Sequence, residues 1–247
     1  MKTFGTILKT EIKLSLRGMD MVIFSILMPL VILIVLGLIY GSKPAFEGAD
    51  YSFVEQSFGA LASVSILAGG TMGLPLVVAD YRSKQILKRF KVTPVRPVTI
   101  LLAQLVIFTL YAILSLAILL LVASLFFNFR FRGNPGIFLV GWLVVVISIF
   151  SIGMMVGGVS KNSKTAGIIA SAIYFPMLVF SGTTLPYEVM PPAMQKAVDI
   201  LPLTQGIKML KTATLGLPSG EILFPVVVMV AIGAICSFIA IRFFKWE

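Results

Sequence analysis

The sequence predicts an all-α polytopic membrane protein with six transmembrane helices, and three observations predict it: overall composition, the grouping of apolar residues into blocks, and the position of the cations between those blocks. Of 247 residues, 58% are hydrophobic and 12% charged, against roughly 45–50% and about 25% in soluble domains. The apolar residues form continuous runs, and ~20 of them at about 1.5 Å each cross ~30 Å of hydrocarbon. The net charge is +10, and the cations lie between the runs, as membrane proteins place them. A nucleic-acid binder gathers them on one soluble face. The expected surroundings are therefore a lipid bilayer and not a nucleic acid.

Residues 2–17 open the chain. At 100° per residue, Lys2, Lys9 and Lys13 fall within about 40° of each other, with Phe4, Ile7, Leu8 and Leu14 opposite. This predicts an interfacial amphipathic helix over about 1–20, its lysines toward anionic headgroups. Glu11 breaks the pattern on the apolar side. Either it faces a protein partner or the helix is bent or frayed there. No A-x-A-type cleavage site precedes the first apolar run, which is expected to stay as an anchor.

The spans are expected at about 21–40, 58–79, 99–127, 136–159, 165–183 and 222–244, in a single membrane domain covering 1–247. Within those stretches there is no Asp, Glu, Lys or Arg apart from Arg242 in the last turn. Ion-coupled transporters use intramembrane carboxylates, so this composition disfavours one. The neutral polar residues Thr71, Gln104, Tyr111, Ser115, Ser151 and Tyr174 are read as interhelical hydrogen-bonding groups. Gly69, Gly70, Gly73 and Pro75 in the second span, with Gly153, Gly157 and Gly158 in the fourth, are read as close-packing sites before hinges. With the N-terminus in the cytoplasm, the connections on that side carry 14 basic residues against 6 on the other. The positive-inside rule then places both termini in the cytoplasm, which for a multi-pass protein of this kind implies the plasma membrane.

Several chemistries are excluded. The single cysteine, Cys236, lies within a span and there is no histidine, which removes disulfide frameworks, zinc sites and Ser-His dyads. No catalytic or metal-binding residue is expected. No GxxxxGK[ST] loop is present, so any ATP chemistry belongs to another chain.

Two connections carry the functional signal. After the second span, residues 80–98 hold Arg82, Lys84, Lys88, Arg89, Lys91 and Arg96, with Ile86, Leu87 and Phe90 on one helical face and Pro94 and Pro97 behind them. Such a helix seats in a partner's groove, lies on the membrane, or serves only as a topology signal. Before the sixth span, prolines 186, 191, 192 and 202 cut residues 184–221 into short pieces. Met194, Ala197, Val198 and Leu201, then Leu203, Ile207, Leu210 and Leu215, recur at helical steps, which predicts two short amphipathic helices.

The run Asp80-Tyr81-Arg82-Ser83-Lys84-Gln85-Ile86-Leu87-Lys88-Arg89-Phe90-Lys91-Val92-Thr93-Pro94 and the stretch Ser181, Gly182, Pro186, Met190 and Pro191, followed by Leu201-Pro202-Leu203, together resemble the ABC-2-type family of exporter permeases over essentially the whole length. Gln85 stands where glycine is frequent in that family, and Ser83 or its neighbour replaces an acidic residue, which leaves the run more cationic. The resemblance implies a half-transporter in which two six-span subunits pair (a homodimer first, a heterodimer as the variant). Each would sit on a separate cytosolic ATP-binding cassette ATPase, which would hold the ATP and Mg. This chain would hold no cofactor itself. It further implies that residues Arg82, Ser83, Lys84, Gln85, Ile86, Leu87, Lys88, Arg89 and Phe90 form the ATPase-coupling contact, and that residues 184–215 are outer re-entrant helices. Tyr174, Phe175, Met177 and Phe180 in the fifth span are candidates for the translocation path, with core packing as their competing role. The function so read is export of an amphipathic compound: a drug, an antimicrobial peptide or a lipid-linked molecule. A membrane scaffold or immunity protein binding a toxin or lipid without turnover is the competing class.

Overall fold

The structure, a computed structural model, describes residues 2–41, 43–46, 48–86, 97–184, 187, 190–218 and 222–243. Helix α1 is Lys2–Gly18. Then come α2 (Ile23–Tyr40), α3 (Phe53–Ser83), α4 (Pro97–Phe126), α5 (Pro135–Val159) and α6 (Ser163–Phe180). Two short helices follow, α7 (Pro192–Val198) and α8 (Pro202–Leu215), before α9 (Leu223–Phe243). Helices α2 to α6 and α9 are long and apolar enough to cross a membrane. Among the described residues there is no strand, only an isolated bridge between Pro44 and Ser52. The chain is an all-α, multi-pass membrane protein.

The spans run alternately up and down. Residues near 2, 83, 97, 160 and 243 share one end, called here the terminal end. The connections 41–52, 127–134 and 181–222 share the other, the loop end. Local chemistry sets the boundaries. Asn134 accepts a hydrogen bond from the Gly136 amide and Pro135 takes the first helical position, which starts α5. Asn162 accepts from the Thr165 amide and starts α6. Gly216 closes α8 in the left-handed conformation at φ 70°.

Helix α3 starts at Phe53, five residues before the 58 expected for this span. The cause is a capping box. The Ser52 hydroxyl accepts from the Glu55 amide at 3.1 Å, and the Glu55 carboxylate accepts from the Ser52 amide at 2.9 Å. Glu55 is also buried, and Arg132 meets it at 3.1 Å.

Two spans contain a π-helical segment, Ile23–Leu27 in α2 and Ala68–Gly73 in α3. Each is followed two residues later by a proline, Pro29 and Pro75. A proline lacks the amide that would bond four residues back and its ring collides with that carbonyl. A wider π turn just ahead of it lets the helix continue.

Helix α3 is the centre of the bundle, with 83% of its most apolar stretch buried. It packs on α2, α4, α5, α6 and α8. The π segment of α3 touches α5 through backbone. A Cβ on Gly153 would overlap the Gly70 carbonyl oxygen, and one on Gly70 would lie 2.7 Å from the Ile149 side chain. At the loop end, Phe58, Phe129, Phe131 and Phe138 form an aromatic cluster, with Phe58 and Phe129 centroids 4.3 Å apart. It joins α3, the 127–134 connection and α5. Helix α8 buries Leu203, Ile207 and Leu210 against α3 and α5.

Gly153→Ala is expected to destabilise the protein by about 1–3 kcal/mol, because the opposing atom is backbone and cannot swing aside. Gly5→Ala, where a Cβ meets nothing within 4 Å, is expected to raise stability slightly through helix propensity. Thermal unfolding of the two variants in the same detergent measures the difference.

Candidate coupling site at the terminal end of helix α3

The last turn of α3 ties four other elements together. Tyr81 points toward α1 and α4, and its hydroxyl donates to the Glu11 carboxylate at 2.6 Å. Gln104 of α4, itself buried, donates to the same carboxylate oxygen at 2.7 Å and lies 3.3 Å from the Tyr81 hydroxyl. One turn further along α1, Ser15 accepts from the Tyr111 hydroxyl at 2.8 Å. Glu11 thus faces neither a foreign protein nor a bend. It docks α1 on this chain's own spans, and the polar stripe at positions 11 and 15 explains why the helix departs from a simple lysine-and-leucine pattern.

Arg82 turns the other way. Its guanidinium donates to the carbonyls of Gly158 at 2.8 Å and Ser160 at 2.7 Å, with Gly157 at 3.5 Å. These belong to the last turn of α5 and its cap, where helical carbonyls have no amide of their own and the helix dipole favours a cation. Only 9% of Arg82 is exposed. The group expected to meet an ATPase is, in this structure, spent on fastening α3 to α5. Ser83 lies 3.4 Å, hydroxyl to hydroxyl, from Ser163 at the start of α6. Helices α1, α4, α5 and α6 are therefore all bonded to the three residues from Tyr81 to Ser83.

Immediately beyond, the chain leaves the bundle. Lys84 caps α3 and Gln85 adopts φ 55°, a left-handed conformation that ends the helix. Ser83, Lys84 and Gln85 are exposed, and Ile86 is half-exposed. Lys84 pairs with Asp80 at 2.9 Å, an exposed contact of small energetic weight. Leu87, Lys88, Arg89 and Phe90 lie outside the described residues.

The four path candidates divide. Tyr174 and Met177 are buried, with the Tyr174 hydroxyl 3.9 Å from the Met28 sulfur. Phe175 and Phe180 point outward, 57% and 38% exposed. Tyr174 and Met177 thus sit in the core of this chain, and only Phe175 and Phe180 present a surface.

At the loop end, a polar group escaped the sequence reading. The Lys208 ammonium of α8 donates to Asp199 at 2.6 Å and to the Tyr187 hydroxyl at 3.1 Å, and lies 4.2 Å from the Tyr187 ring centroid. Burial alone pushes the Lys208 pKa down. The hydrogen bonds to Asp199 and Tyr187 and the charge of Asp199 outweigh it, and the net shift is upward. Lys208 is one turn from Thr204 and from Thr212, a helical spacing that hinted at a polar stripe on α8. Nothing in the spacing pointed to Asp199 or Tyr187.

The sequence profile of the ABC-2 type transporter family matches residues 2–215. Among curated proteins, nodulation protein J of Neorhizobium galegae is 31% identical over 94 residues. That alignment covers 38% of this chain and 34% of the relative, so the chain spans about a third of the length of the curated protein it matches.

Glu11→Gln and Tyr81→Phe remove opposite ends of one contact. A double-mutant cycle on thermal stability is expected to give a coupling of about 1 kcal/mol. Arg82→Ala is expected to cost about 1.5–3 kcal/mol, since it strips a cation from orphan carbonyls. Arg82→Lys keeps the charge but carries its ammonium on a shorter stem than the one guanidinium nitrogen that reaches these carbonyls, and should restore only part of it.

Proposed function

The chain belongs to the ABC-2 type transporter family, and from that membership we propose that it is the membrane-spanning subunit of an ATP-driven exporter. In this reading ATP and Mg are bound by a separate cytosolic ATPase. A second six-span subunit, identical in the simplest case, completes the pathway. Both termini face the cytoplasm across the plasma membrane, and the cargo is an amphipathic compound such as a drug, a peptide or a lipid-linked molecule. The basic-residue count of 14 against 6 supports the orientation.

The observation that carries the reading is the hub at Tyr81–Ser83. A segment that receives force is useful only if its movement reaches several spans together. Here three consecutive residues, Tyr81, Arg82 and Ser83, are bonded to α1, α4, α5 and α6, and Lys84 and Gln85, both exposed, follow at once. ATP-driven closure of the partner displaces this segment, with Lys84, Gln85 and Ile86 at its start and Leu87, Lys88, Arg89 and Phe90 continuing it. Arg82 carries the displacement to α5, and Tyr81 carries it to α1 and α4. The spans shift as a unit and alternate access to the pathway. Arg82 has a transmitting role in this account and not a contact role. Phe175 and Phe180, on the open face of α6, are the path residues that remain, reached by cargo when the second subunit stands opposite.

Lys88→Glu together with Arg89→Glu is expected to abolish ATP-dependent export, with the protein still folded and still inserted. Export and ATP turnover are measured in proteoliposomes containing both subunits. Normal export by this double variant would falsify the coupling mechanism. Export by the chain alone, with no ATPase present, sinks the whole reading.

A further inference from the structure

A cleft of about 440 Å³ opens at the terminal end between α1, α3 and α4, within the roughly 300–1,000 Å³ range of small-molecule sites. Glu11 and Asp80 are the charged residues that line it among those described, with no lysine or arginine beside them. Asp80 pairs with Lys84 at 2.9 Å and so contributes no net charge. Glu11 is a different case. Charges taken out of water are ordinarily met by an opposite charge. Among the described residues, Glu55 meets Arg132 and Asp199 meets Lys208 in this way. Glu11 is likewise partly buried, yet no described cation stands at ion-pair distance from it.

Neighbouring donors fix the position of this lone charge. Tyr81 and Gln104, both neutral, donate to the same oxygen, Oε2, at 2.6 and 2.7 Å. Oε1 accepts from no described residue. Much of the remaining wall is apolar. Met21, Leu76, Val77 and Phe108 line it, and Leu14, 53% exposed, stands where the cleft opens. A held carboxylate with one oxygen to spare, beside an apolar wall, matches a cation joined to a hydrocarbon body. A fatty acid or a phospholipid head would bring its own anionic oxygens against Glu11 and is disfavoured.

We propose that this cleft binds a small amphipathic amine, its protonated nitrogen on Glu11 Oε1 and its hydrocarbon body along Met21, Leu76, Val77 and Phe108. An alkyl ammonium offers three N–H donors and stays charged at neutral pH, as the lysine side chain does with its pKa of about 10.4. One donor goes to Oε1, and the hydrogen bonds from Tyr81 and Gln104 to Oε2 stay in place. The amine supplies the countercharge that the described residues lack, without undoing the docking of α1. Its standing as cargo rests on the export reading above. Binding by the isolated chain does not.

The test is a scintillation proximity assay of tritiated decylamine on the purified full-length chain in neutral detergent at neutral pH. Unlabelled decylamine, decanol and decanoate serve as competitors. The expected result is saturable binding, with decanol competing about tenfold more weakly than decylamine, as one charge-assisted hydrogen bond provides. Decanoate should compete more weakly still. Glu11→Gln keeps a side-chain oxygen in place and removes the charge. It should weaken decylamine binding by about tenfold and make the amine and the alcohol equal competitors. Gly18→Trp is a second variant. Gly18 lines the cleft and a Cβ there meets nothing within 4 Å, so the indole fills the cleft without displacing packed atoms. It should reduce decylamine binding and leave the melting temperature of the amine-free chain unchanged. Decanol competing as well as decylamine overturns the proposal, as does undiminished decylamine binding by both variants. If N-acetyl-lysine amide, an ammonium on a short stem, competes as well as decylamine, the cleft takes a basic side chain and the amphiphile assignment fails. No ATPase is present in these measurements, so failure of ATP-driven export and failure of amine binding are read separately.

Discussion

Backbone contact between α3 and α5 is the constraint on which the rest of the bundle depends. Where Gly70 faces Gly153, no side chain separates the two helices. In a bilayer the lipid tails are as apolar as leucine, so no hydrophobic force presses helices together. Close packing and interhelical hydrogen bonds have to do so. The π segment of α3 and its glycines bring the helix axis near enough for this, and Pro75 follows in the space that the widened turn creates. Once α3 and α5 are seated, the other spans have a fixed surface on which to pack.

Both ends of α3 are then secured by polar groups, but in different ways. At the loop end, Glu55 serves in the capping box and also pairs with Arg132. The 130s connection is held further by the amides of Arg132 and Gly133, which donate to the Thr214 carbonyl at 3.1 and 3.0 Å. At the terminal end, Arg82 is bonded to carbonyls that would otherwise be orphaned at the end of α5, while Glu11 gathers Tyr81 and Gln104. The one contact consists of complementary side chains. The other consists of a cation closing a helix. In each case the polar groups lie near the membrane boundary and the middle of the helix is left to packing, which is the cheapest distribution of polarity for a spanning segment.

This division bears on how force can pass through such a protein. A helix that is merely greasy slides along its neighbours. One bonded at a single turn to four other elements moves them together, and this chain has such a turn just before the exposed residues Lys84 and Gln85. The loop end holds the other concentration of polar groups, around Lys208 and Asp199. The bundle thus carries chemistry at its two ends and packing between them.

Much of this was legible in the sequence. Apolar blocks of spanning length, the absence of histidine, the glycine clusters and the basic run after the second span determined a six-helix membrane protein of a recognisable family. Length and hydropathy are properties of consecutive residues, and a helix in lipid satisfies its own backbone, so no tertiary partner is needed to read it. The capping box at Ser52 and Glu55 is legible too, as a serine with an acid three residues on, ahead of the point where the apolar block begins. What only the tertiary structure decided is the direction in which the polar side chains point. Arg82 reads as one more cation of an exposed segment, yet it turns inward because α5 ends beside it. Glu11 reads as a flaw in an amphipathic helix, yet Tyr81 and Gln104 stand 70 and 93 residues away to receive it. Contacts of that separation depend on how the spans are arranged around α3, and periodicity along the chain holds no record of that arrangement.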